Sequence, residues 1–109
     1  MREINPHEAV DYILLNGKNY AKSRAERIYL EEYRKTLKAI LFQKSDGKTI
    51  SDREAYAYSH PDYLLNLNGI REAVELEEKL RWDLIAAQAR IEIYRTDQAT
   101  ARTEGRAVR

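Results

Sequence analysis

The residues best able to do chemistry fall in a suggestive order in the second half of the chain. Pro61-Asp62 is followed fifteen residues later by Glu77-Glu78-Lys79, matching the Pro-Asp…(Asp/Glu)-x-Lys arrangement with which metal-dependent nucleases hold Mg²⁺ and activate water. Such a site needs both carboxylates on one ion, which adjacent strands provide. Here both halves lie on one predicted helix, about 22 Å apart along its axis, too far to share an ion within one chain. The motif reads instead as an acid at a helix start and a solvated charged flank.

The other chemical groups are equally dispersed. His7 and His60 have no second histidine at i+3 or i+4 to chelate zinc, so surface or capping roles fit them. The chain has no cysteine, which removes disulfides, thiolate catalysis and thiolate metal sites. Ser23, Ser45, Ser51 and Ser59 fall at turns or caps without a nearby base. Gly17, Gly47, Gly69 and Gly105 are scattered singly, so no loop cradles a phosphate. No catalytic residue, metal or cofactor is expected, and the chain reads as a non-enzyme.

The elements that must position any site are helices. With 109 residues, 43% hydrophobic and 34% charged, four glycines and two prolines, the composition suits a single helical domain. Asn5-Pro6-His7-Glu8 is a helix start, and Asn16-Gly17 predicts its stop, giving a short first helix over about 6–15. A second helix runs from about 19 to 44, with Leu30, Tyr33, Leu37, Ile40 and Leu41 clustered on one face as its core side. Ser45-Asp46-Gly47-Lys48 is a turn. Ser51-Asp52-Arg53-Glu54 reads as a capping box opening a short helix that His60-Pro61 interrupts. From about 61 to 100 one helix, roughly 60 Å long, dominates. The expected fold is all-α: a long antiparallel helical hairpin with a short N-terminal helix and a short helix at the bend, occupying residues 1–100. Residues 101–109 form a flexible basic tail.

The long helix carries two apolar seams. Ile70, Ala73, Leu80, Leu84, Ala87, Ile91 and Tyr94 recur at the steps of a coiled-coil partner face. Trp82, Ala86, Ala89 and Ile93 recur on a different side, and a homo-oligomer contact is expected there. Charge is also segregated. Net charge is +1, yet residues 18–48 carry an excess of five positive charges and 49–89 an excess of four negative. On the second helix Arg24, Arg27, Arg34 and Lys38 share a stripe flanked by Tyr20 and Lys35. That stripe suits a phosphate backbone, with Tyr20 free to stack on a base; it equally suits an ordinary solvated helix face. Arg95, Arg102 and Arg106 extend the basic surface, although cations at a helix C-terminus also answer its dipole. The acidic run Glu72, Glu75, Glu77, Glu78 reads as a solvated flank, with pairing to the basic helix left open.

The stretch from Tyr29 to Arg102 resembles small helical proteins encoded in the early regions of tailed phages, near recombination and replication genes. The likeness rests on Leu30-Glu31-Glu32-Tyr33-Arg34-Lys35-Thr36-Leu37-Lys38, on Ser51-Asp52-Arg53-Glu54-Ala55-Tyr56-Ala57, and on Trp82 with Ile91-Glu92-Ile93-Tyr94-Arg95-Thr96-Asp97-Gln98-Ala99. In layout the chain is similar to the UvsY type of recombination mediator. The resemblance implies a non-enzymatic accessory protein of phage DNA recombination or replication that binds single-stranded DNA, self-associates and uses no cofactor. The alternative from the residues is a protein-binding inhibitor or adaptor acting on a host or phage enzyme. No window approaches a membrane span and the start lacks a signal-peptide pattern, so a cytoplasmic location, in an infected or lysogenic bacterium, is expected.

Overall fold

The computed structural model describes residues 5–108, which form three helices and no strand: α1 (Pro6–Lys44), α2 (Ile50–Ser59) and α3 (Pro61–Val108). The architecture is an all-α helical hairpin. The start of α1 is as the sequence indicates. Asn5 Oδ1 accepts hydrogen bonds from the amides of His7 (3.0 Å) and Glu8 (3.2 Å), and Pro6 takes the first helical position, where its missing N–H has no partner to lose.

The separate N-terminal helix over about 6–15 is not found, because α1 runs unbroken through Asn16-Gly17. A glycine stop needs the left-handed conformation, and no described glycine has positive φ. Asn16 stays helical, its Nδ2 donating to the Tyr12 carbonyl at 3.0 Å. An interior glycine costs about 1 kcal/mol relative to alanine, a local penalty that tertiary packing along the helix outweighs.

The turn after α1 is built by short bonds. Ser45 Oγ accepts from the Gly47 amide at 3.0 Å, and Arg53 donates to the carbonyls of Gly47 (3.0 Å) and Phe42 (3.3 Å). The expected box beginning at Ser51 gives way to an earlier cap. Thr49 is the N-cap of α2, its Oγ1 accepting from the Asp52 amide at 3.0 Å, so Ser51 already lies inside the first turn. His60 ends α2 and also opens α3, since its Nδ1 accepts from the Asp62 amide at 3.0 Å.

The chain divides into two compact units. In Ala21–Glu78, the second half of α1 packs antiparallel on the first part of α3, with α2 at the bend. Leu37, Leu41 and Ala57 are its buried core, with Tyr63 packed against them. Ser23, Arg27, Leu30, Arg34, Leu37 and Leu41 alternate at steps of four and three along the inward side of α1. They face Tyr63, Asn66, Ile70, Ala73 and Glu77, spaced the same way on α3. The other unit comprises the chain up to Tyr20 and the chain from Lys79 onward. Its helices pair antiparallel over Ala9 and Ala87, which are buried, with Ile13, Tyr20, Leu80, Leu84, Ile91 and Tyr94 half-buried around them.

The first seam read from the sequence, Ile70 to Tyr94, is therefore the inward face of α3. That helix does not fray near Thr100 but continues to Val108, with the Thr96 and Thr103 hydroxyls donating to carbonyls one turn back. Of the expected tail, residue 109 lies outside the described residues.

Candidate interaction faces

The groups that resembled a nuclease do other work. Asp62 sits in the first turn of α3, where its charge favours the helix dipole. Glu77 is buried and receives two hydrogen bonds from Arg27, from Nε and, at 3.2 Å, from Nη2. Arg27 Nη1 also bonds Glu31 at 3.0 Å. These carboxylates, Glu77 first, hold the guanidinium firmly in its charged form, above its ordinary pKa. Among the described residues no cluster of three histidine, cysteine or acidic side chains could hold a metal ion.

The basic stripe is divided by the fold. Arg27 and Arg34 occupy inward positions against α3, while Arg24 and Lys35 face solvent, Lys35 pairing loosely with Glu32 at 3.4 Å. Lys38 is half-buried with its ammonium 4.7 Å from the Tyr58 ring centroid, and its hydrogen bond to the Tyr58 hydroxyl raises its pKa. Tyr20 is half-buried in the unit that contains the chain start. The continuous phosphate track expected along the second helix is thus replaced by separate exposed cations, and Arg27 is withdrawn from it. The expected core side was purely apolar and aromatic, yet Tyr33 and Ile40 are 39% exposed and the true seam admits charge. Opposite charges at matching four-three positions, Arg27 on one helix and Glu77 on the other, were the available signal.

Arg95, Arg102 and Arg106 are exposed on one side of α3. Arg95 pairs with Glu92 at 3.1 Å, and Arg102 Nε donates to the Gln98 carbonyl at 3.4 Å. The predicted second seam is also open. Trp82 is 58% exposed with the Arg81 guanidinium 4.9 Å from its ring, Ile93 is 49% exposed, and Ala86 and Ala89 lie exposed between them. Along one edge of this stripe, sharing Ala86 with it, runs a groove lined by Glu8, Ala9, Tyr12, Asp83, Ala87 and Arg90.

Sequence reasoning missed a second groove, in Ala21–Glu78. Tyr29 and Tyr33 stack there with ring centroids 6.2 Å apart and planes 9° from parallel, next to Leu30, Leu37, Asp62, Leu65 and Asn66. Leu65 is 68% exposed, whereas Asn66 is buried with its Oδ1 unbonded. Tyr33 was expected on the core side of the second helix; the one-turn spacing of Tyr29 and Tyr33 was the clue to a shared outward ledge. No described helix is long and apolar enough to cross a membrane. In comparisons with known proteins, no family model, no curated protein and no solved structure matches the chain.

Proposed function

We propose that the chain is a non-enzymatic helical module that acts by binding another protein, as an inhibitor or adaptor of a host or phage enzyme. The groove of Tyr29, Tyr33, Leu65 and Asn66 carries this reading. It offers aromatic and aliphatic surface that the chain itself leaves uncovered. An amphipathic helix laid in such a groove supplies apolar anchors along one face. A stoichiometric partner recovered from the producing cell should survive nuclease treatment and be lost with Leu65→Glu, a change on an exposed side chain that leaves the helices intact. Retention by Leu65→Glu would refute this groove as the site.

The second reading is a single-stranded DNA-binding accessory protein of phage recombination or replication. It is supported by the exposed Lys18, Lys22, Arg24 and Lys35 and by the arginine side of α3 at Arg95, Arg102 and Arg106. Binding of a labelled single-stranded oligonucleotide, measured at 50 and 300 mM salt, should then weaken by orders of magnitude as salt rises, since each neutralised phosphate releases a counterion. Absence of binding at the lower salt removes this reading. Arg24→Glu with Arg102→Glu should abolish it, and Arg27→Glu tests the fold instead.

A further inference from the structure

The unit that holds both chain ends is under-built for a free-standing structure. Its buried apolar residues, among those described, are two alanines, Ala9 and Ala87, while Trp82 and Ile93 lie open to solvent.

The exposed stripe has an internal symmetry that selects its partner. Trp82 and Ala86 are separated by the same interval as Ala89 and Ile93. Reversing the helix direction therefore maps large onto large and small onto small. We infer that a second copy of this chain covers the stripe, the two α3 helices antiparallel about a two-fold axis level with the Ala87–Gln88 bond. Trp82 of each copy then packs on Ile93 of the other, and Ala86 faces Ala89. The alanines allow close approach at the axis, and the bulky pairs close both ends.

This is an isologous contact, complete with two copies and leaving no open edge. Asp83 and Arg90 flank one side of the stripe, so the two-fold also brings Asp83 of each copy toward Arg90 of the other. A parallel in-register pairing would instead set tryptophan on tryptophan. The proposal is independent of the groove at Tyr29 and Leu65, which lies in the other unit.

The native chain lacks cysteine, which permits a direct test. Light scattering should give twice the mass of one chain, and Ala89→Glu should halve it while far-UV circular dichroism retains the helix content. Separately tagged Ala86→Cys and Ala89→Cys proteins, mixed, equilibrated and oxidised, should form the mixed disulfide in preference to either homodimer, because the facing alanines approach within disulfide reach. A monomeric parent overturns the proposal. So does an Ala89→Glu variant that keeps the parental mass, or an Ala86→Cys sample that crosslinks chiefly to itself, which would mean a parallel or different interface.

Discussion

Gly17 and Gly47 show how one residue type serves opposite ends. Gly17 lies inside α1 with negative φ, and an added Cβ would meet nothing within 4 Å. Its only effect on the helix is entropic: the unfolded chain gains freedom that the helix must remove. Gly17→Ala should therefore stabilise the protein by about 0.5–1 kcal/mol in urea unfolding, with no change in helix boundaries. At Gly47 a Cβ would sit 2.8 Å from Asp52 Cβ and 3.2 Å from the Arg53 amide nitrogen. Gly47→Ala must displace the first turn of α2, and a loss of stability is expected there. An Asn-Gly pair looks the same in sequence whether it caps a helix or is carried through one. The difference lies in the packing on both sides of it, which no local window contains.

At the scale of elements, types were legible and ends less so. All-α composition, the Asn5-Pro6 start, the His60-Pro61 break and the inward apolar positions of α3 follow from periodicity and cap chemistry. The start of α2 did not, because two hydroxyls two residues apart compete to cap it, and Ser51-x-x-Glu54 looks the better box. Thr49 wins, with Oγ1 on the Asp52 amide. Threonine at this place leaves Ile50 as the first helical residue and lets Arg53 reach back to the Gly47 and Phe42 carbonyls. Thr49→Ala should cost about 1 kcal/mol in denaturant unfolding, while Ser51→Ala should stay within about 0.5 kcal/mol of the parent. Equal effects of the two substitutions would return the cap to Ser51. The overrun of α3 past Thr100 has a similar origin. Arginine, alanine, glutamine and glutamate are good helix formers even where no apolar stripe continues, and loss of periodicity was a poor guide to the end.

Across the molecule, the candidate site was the less legible part, because charge enters the helix interface. Arg27 was assigned to a nucleic-acid face and Glu77 to a solvated flank, yet they meet across the α1–α3 seam of Ala21–Glu78, fifty residues apart in sequence. A pair of opposite charges among Leu30, Leu37 and Ile70 penalises any sliding of one helix along the other, since a shift by one turn would set each charge against apolar or like-charged neighbours. Buried pairs of this kind add little net stability compared with apolar replacements, but removing one partner strands the other. The two ends are unequal here. In Glu77→Leu, Arg27 keeps Glu31 at 3.0 Å and remains partly solvated; in Arg27→Leu, the nearly enclosed Glu77 carboxylate loses both donors. Arg27→Leu should therefore lower Tm by roughly 10 °C and Glu77→Leu by less than half as much. The Arg27→Leu/Glu77→Leu double variant should melt at or above the parent. A double variant that instead sums the two losses would show that the charges are not coupled, and the device holding the α1–α3 register would have to be sought in the neighbouring apolar contacts.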